Sequence, residues 1–438
     1  MTTRSIITFG VAVTLLGPWA SAQVSQQAKL VGSGSAGYVE QGISVALSAD
    51  GTTALVGGWA DNGGSGAGWV FVRTKGVWTQ QGSKLVAADA IGLAHLGGSA
   101  ALSADGNTAV LGGQGDNLNR GAAWVFVRSG GAWSRQAKLA VASAGTNAAV
   151  GFSVAVSGDG NTALVGVPFD QTYPGAVWVF VRSGGAWSAE AQLVGSGVDA
   201  NPFGGAHQGT SVALSADGNT ALVGGPTDAD SVGAAWVFVR NGGTWSQQGA
   251  KLVGSGAVGA SHQGNGVALS GDGNTAVVGG PNDDWLTHSG AAWVFVRNGG
   301  TWSQQGSKLV GTNAYRAEQG LAVACAFDGS TVIVGGPSDD FYDGGAWMFF
   351  RRARAWSQMG PKLLGTGVVI KARQGSAVAL SADGTTALLG GPIDDGHLGA
   401  AWVFSVALPV PPIPVASLAG LAFLVLFVAV LGVFRLVR

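Results

Sequence analysis

The side chains with most to offer chemically fall in two stretches that interrupt the chain's own regularity. Phe203 and His207 lie in residues 198–207, and Asp283, Asp284, Trp285 and His288 lie in residues 282–288, with His262 between the two. Phe203 and Trp285 can stack on a sugar or a peptide, and the carboxylates and imidazoles can supply hydrogen bonds to it. The histidines are also transition-metal donors, but nothing in their spacing fixes a coordination geometry, so no metal is expected. Five histidines are scattered too widely to name a general base. The chain has no Gly-x-Ser-x-Gly elbow, no phosphate loop and no Cys/His spacing of the zinc kind. No catalytic residue and no cofactor are therefore expected, and an enzyme would have to assemble its site from loops of several repeats. Cys325 takes the place of a repeat Leu and reads as a small buried hydrophobe.

These stretches interrupt a repeat whose clearest mark is a turn reading Ser-Ala-Asp-Gly-Asn-Thr. Its aspartates are Asp50, Asp105, Asp159, Asp217, Asp272, Asp328 and Asp383, separated by 55, 54, 58, 55, 56 and 55 residues. A Trp-Val-Phe-Val-Arg run recurs with it, at Trp69, Trp124, Trp178, Trp236, Trp293, Trp347 and Trp402, and a second Trp follows nine residues later in all but the last copy. One unit resolves into four strand-like runs, 211–215, 220–224, 234–240 and 244–253, joined by Asp-Gly and Asn-Gly-Gly turns. Four antiparallel strands with a period of this size are the form of a propeller blade. The seventh unit stops after its third run, and Ser25-Gln-Gln-Ala-Lys-Leu30 repeats Ser134-Arg-Gln-Ala-Lys-Leu139 with one change. The expectation is an all-β, seven-bladed β-propeller over residues 23–405, closed by its N-terminal strand so that no sheet edge stays open.

Composition agrees. Of 438 residues 76 are Gly, which argues against a mainly helical fold, and 47% are hydrophobic with 16 Trp, which argues against disorder. A net charge of -1 gives no long-range attraction for nucleic acid, and one cysteine forms no internal disulfide.

The ends read differently. Residues 1–22 carry Arg4, an uncharged stretch and Ala20-Ser21-Ala22, the pattern of a secretory signal peptide. Residues 406–414 are a Pro-rich linker, and 415–438 open with 20 uncharged residues before Arg435 and Arg438. A helix of 20 residues spans about 30 Å, enough to cross a bilayer, with the arginines on the cytoplasmic side. This tail resembles the C-terminal sorting tails of the PEP and IPTL kinds, with Ile413-Pro414-Val415-Ala416 at the motif position. The resemblance implies a sorting protease as a partner. Expected location is the cell envelope, by membrane anchor or after tail cleavage.

The repeat itself resembles the FG-GAP repeats of integrin-type β-propellers, in their bacterial form. Trp245-Ser-Gln-Gln-Gly-Ala-Lys-Leu252, Gly209-Thr-Ser-Val-Ala-Leu214 and Val223-Gly-Gly-Pro226 carry it, although Gln41, Gln208, Gln263, Gln319 and Gln374 stand where that family has Phe. Calcium is not carried over, because Ser215-Ala-Asp-Gly-Asn219 offers too few oxygen ligands. Kelch repeats are the second resemblance and imply the same architecture.

The turn aspartates read as structural, bonding their own backbone. The repeated tryptophans read as packing between blades, the alternative being one sugar-stacking platform per blade. Lys251 and its equivalents Lys29, Lys84, Lys138, Lys308 and Lys362 read as solvated. Trp-to-Trp spacing is constant while the second loop and the blade-to-blade connection vary, which puts all variation on one face. The function expected is a non-enzymatic binding, adhesion or structural module that presents this face to an extracellular glycan or protein; the alternatives are a multivalent lectin and a hydrolase or lyase of extracellular polysaccharide.

Overall fold

Each Ser-Ala-Asp-Gly-Asn-Thr segment closes a tight turn because its aspartate satisfies the turn's own donors. In the computed structural model, which describes residues 23–170, 175–199 and 205–408, Ser215 Oγ donates to Asp217 Oδ1 at 2.5 Å, the Asn219 N–H donates to the same oxygen at 3.0 Å, and the Thr220 N–H donates to Ser215 Oγ at 2.9 Å. Burial acts to raise the Asp217 carboxyl's pKa, but these hydrogen bonds outweigh it and hold the group below the ordinary carboxylate range. Asp50, Asp105, Asp159 and Asp383 behave alike. The structural reading of the turn holds.

Two strands flank each turn and two more follow, giving seven four-stranded antiparallel sheets. In the fourth blade they are Ser211–Leu214, Thr220–Gly225, Ala234–Asn241 and Thr244–Gln247. The second strand is buried along its whole length, as a strand covered on both faces by neighbouring blades must be. The core accordingly lies between blades: Val110, Val125 and Leu139 of the second pack with Ala163, Val165 and Phe180 of the third. The N-terminal strand Gln23–Leu30 pairs with Ala400–Ala407 and completes the seventh sheet. The chain is a seven-bladed β-propeller closed across its own ends.

The outer strand is shorter than expected in four blades. Blade four stops at Gln247 and regains one bridge, Ala235 with Leu252, whereas blade two continues unbroken from Ala132 to Leu139. One inserted residue makes the difference. Gly249 and its equivalents Gly82, Gly306 and Gly360 have φ between 71° and 78° and loop the chain out, as a glycine bulge does.

The first tryptophan is packing, as expected, in six of the seven repeats, while Trp178 of the third blade is only partly buried. Trp69, Trp124, Trp236, Trp293, Trp347 and Trp402 are fully buried. The second tryptophan joins blades: Trp245 Nε1 donates to Glu190 on the preceding blade, Arg240 lies 5.4 Å over its ring, and Arg240 also reaches Thr162 of that blade at 3.2 Å. The seam between blades six and seven lacks this tie. Val406 stands where the arginine would, and the Thr331 hydroxyl has no partner among the described residues.

Gln41, Gln208, Gln263, Gln319 and Gln374 are buried amide clamps. Gln263 Oε1 accepts from the Gly254 N–H and its Nε2 donates to the Gly254 carbonyl at 3.2 Å; Gln41, Gln208, Gln319 and Gln374 do the same to Gly32, Gly195, Gly311 and Gly365. In the two remaining blades Leu96 and Val150 stand in place of the glutamine, and Ala87 and Val141 in place of the glycine. The partners of each amide are backbone groups, so removing the Gln263 amide alone strands the Gly254 N–H and carbonyl. Gln263→Leu should therefore cost about 1–3 kcal/mol, read by chemical denaturation; an unchanged midpoint would show that the amide contributes nothing.

On the turn face the blades are linked in a closed circle. The Ala49 N–H donates to the Ala104 carbonyl, Ala104 to Gly158, Gly158 to Ala216, Ala216 to Gly271, Asp272 to Phe327, Phe327 to Ala382, and Ala382 back to Ala49, at 2.8–3.1 Å. Cys325, on the inner strand Ala322–Cys325, packs against the core between blades five and six. Burial pushes its thiol up to about 12, so it stays protonated and inert. Among the described residues no helix is long and apolar enough to cross a membrane. The signal-peptide and tail readings fall on residues 1–22 and 409–438, outside those described.

Candidate functional site

The loop face is built by a device that repeats in six blades. Each second loop opens with a buried aspartate that clamps two pieces of chain. Asp228 Oδ2 takes the Lys251 ammonium of its own blade at 2.5 Å, while Oδ1 accepts the Asp199 N–H of the connection arriving from the blade before at 3.0 Å. Asp61 with Lys84, Asp116 with Lys138, Asp283 with Lys308, Asp339 with Lys362 and Asp394 with Lys29 repeat the pair. The lysines are thus not solvated, which corrects the expectation. Their stems run along the rim, but their heads turn inward because a desolvated carboxylate needs a charged partner. Burial pulls the Lys251 pKa down, and Asp199 and Asp228 more than offset it, leaving it raised. Blade three carries Gln192 in the lysine position.

Ahead of each inner strand one residue adopts the left-handed conformation: Glu40, His95, Ala149, His207, His262, Glu318 and Arg373, with φ from 53° to 59°. Glycine would take this conformation with less strain, yet a chain with 76 glycines keeps a side chain at all seven positions. Six of those side chains bear on a second loop. Glu40 accepts from Trp59 Nε1 at 2.5 Å and faces His397 Nδ1 at 3.1 Å; His95 lies 5.4 Å from the Trp59 ring and His207 5.1 Å from the Phe169 ring. Asn282 lies 3.4 Å from His262, Ser338 donates to Glu318 at 2.6 Å, and Arg373 lies over Tyr342.

The expected site residues distribute over this face as follows. His207 and His262 occupy successive left-handed positions, and burial holds both imidazoles below their ordinary pKa, which keeps them neutral at pH 7. His288 sits on the next second loop, where its carbonyl accepts the Glu318 N–H at 3.0 Å. Trp285 is 60% exposed, and Asp284 beside it accepts from Thr287 Oγ1 at 2.7 Å. Asp283 is only 1% exposed, with its two oxygens committed to Lys308 and the Val258 N–H. It is therefore a clamp and not one of the groups presented to a ligand. Phe203 lies outside the described residues. The histidines share a face but not a centre: among the described residues no three His, Cys, Asp or Glu come together to hold a metal.

A cluster that sequence reasoning missed lies in blade one. Tyr38, Glu40, Trp59 and His95 line a cavity of about 450 Å³ floored by Gly63 and Gly64. Its signal was present in the repeat, since Trp59 stands where Pro168, Pro226, Pro281, Pro337 and Pro392 stand in five other blades. A smaller cavity of about 310 Å³ lies between blades five and six, beside His288, Glu318 and Tyr342. On the turn face a groove of about 590 Å³ is lined by Arg297 and Arg351, both already engaged with neighbouring blades.

Fold and face together define a seven-bladed propeller with a uniform turn face and a varied loop face. No protein-family model matches the chain, and no curated protein matches it.

Proposed function

We propose that the chain is an exported, cell-envelope module that binds an extracellular glycan or protein through its loop face without chemical turnover. The segregation of exposed aromatic side chains carries this reading. Among the described residues Tyr38, Phe169, Trp285, Tyr315, Phe341 and Tyr342 are exposed on the loop face, while Phe327 alone is exposed on the turn face. Exposed apolar surface gathered on one face marks an interaction site, and variable loops on a rigid scaffold are where binding concentrates. In this reading the repeats are of the FG-GAP type and residues 1–22 direct export. Residues 408–414, beyond the last strand Ala400–Ala407, space the propeller from the membrane, and 415–438 anchor it or are removed by a sorting protease.

Glycan and protein arrays probed with the purified propeller should yield a ligand that is bound and left unchanged. Trp285→Ala and Tyr315→Ala should each weaken that binding about tenfold or more with the melting temperature unaltered, because both side chains are exposed. Turnover of a polysaccharide or peptide library would sink the reading, and unchanged affinity in both variants would place the site elsewhere on the ring.

A further inference from the structure

The blade-one cavity departs from the other blades at Trp59 and Gly64, while its Gly63 is shared with Gly396 of blade seven. Trp59 replaces the repeat proline, and Gly63 and Gly64 stand where blades two and six carry Leu118-Asn119 and Phe341-Tyr342. The glycines clear the floor, and a side chain on Gly64 would press against His95 at 3.3 Å. Around that floor stand Tyr38, 69% exposed, with Trp59 and His95. Glu40 supplies the one formal charge of the lining, which contains no lysine or arginine. Its carboxylate is fixed from both sides, by Trp59 Nε1 at 2.5 Å and His397 Nδ1 at 3.1 Å, and His397 is itself braced edge-on by the Tyr38 ring at 5.4 Å.

We infer that this cavity binds a quaternary ammonium group. The inference rests on the loop face being a binding surface and names the ligand chemistry of one site on it. A sugar needs several convergent donors and acceptors, but here the indole N–H and both Glu40 oxygens already face one another or His397. What the cavity offers a ligand is aromatic side chains and a carboxylate. A trialkylammonium head wants both: it has no N–H to satisfy, an apolar shell to bury against rings, and a positive charge that the ring quadrupoles and the carboxylate attract. The cavity, at about 450 Å³, has room for such a head and part of its substituent.

Calorimetric titration of the full chain with choline, and in parallel with its uncharged isostere 3,3-dimethylbutan-1-ol, tests this. Choline should bind about tenfold or more tightly than the isostere, and Glu40→Gln should remove most of that difference while leaving the isostere's weak binding as it was. Tyr38→Ala, at a position 69% exposed, should weaken choline without changing the melting temperature. Phosphatidylcholine vesicles that sediment the protein but not its Glu40→Gln variant would identify a lipid headgroup as the source, and vesicles that do not distinguish the two would identify a free or carried choline; both agree with the site. Equal affinity for choline and isostere, no binding at ~10 mM choline, or an unchanged affinity in both variants would overturn it. Should choline fail while Trp285→Ala still weakens an array ligand, the ammonium site falls and the binding module stands.

Discussion

Removal of residues 23–32 should leave a chain that aggregates or melts far below the parent. The strand Gln23–Leu30 is the outer member of the seventh sheet, so its loss bares Ala400–Ala407 as an unpaired edge, a template for other chains. It also strands charge, because Lys29 is the partner of the buried Asp394 at 2.5 Å. The same segment joins the seventh blade to the first: Gln27 Oε1 receives Arg73 at 3.1 Å and Trp78 at 3.2 Å, and Gly32 is the anchor of the Gln41 clamp. Leu30, 3% exposed, sits in the core these two blades share. Thermal melting followed by circular dichroism, with light scattering alongside, reads the outcome. Equal melting temperatures with and without the segment would refute closure of the ring by this strand.

Trp236→Ala should cost about 3–5 kcal/mol. The ring is fully buried among Leu164, Val177 and Leu193 of the preceding blade, and its Nε1 donates to the Ser196 carbonyl at 2.8 Å. Its walls make the loss hard to repair. Gly195 and Gly225 lie so close that a Cβ on either would come within 2.3 Å and 2.7 Å of the indole. Glycine walls have no side chain to swing into the void, so the cavity stays open and its full cost is felt. Trp245→Ala, on the partly buried rim ring, should cost less. Equilibrium denaturation of both variants decides, and equal losses would mean that burial does not separate the two sets of tryptophans.

The architecture was legible because the chain aligns with itself. Seven copies of one turn and one Trp run gave blade number, strand order and the N-terminal closing strand without reference to any other protein. The clamps were not legible, since Asp228 and Lys251 are 23 residues apart and each has an ordinary local reading, a loop acid and a rim lysine. Only a fold that brings second loop and outer strand together turns them into a pair. The break in the outer strand was hidden for a similar reason: a single extra residue, Gly249, looks like turn punctuation until the register of the neighbouring strand is known. On the loop face, searching for changes in loop length led to Trp285 and His288 but passed over Trp59, whose loop has the standard length. A substitution against the repeat carries as much information as an insertion, and the replacement of Pro by Trp was such a signal.

The circle of hydrogen bonds from Ala49 round to Ala382 and back runs head to tail in a single sense. A linear array of repeats has terminal members that can peel away first, like the teeth of an opened zipper, and its melting spreads inward from them. This circle has no terminal member. Opening any one link leaves the other six holding their blades in place. Loosening one blade therefore requires its neighbours on both sides to give way with it, so the ring is built to come apart as a whole, holding the loops of the opposite face in register until it does.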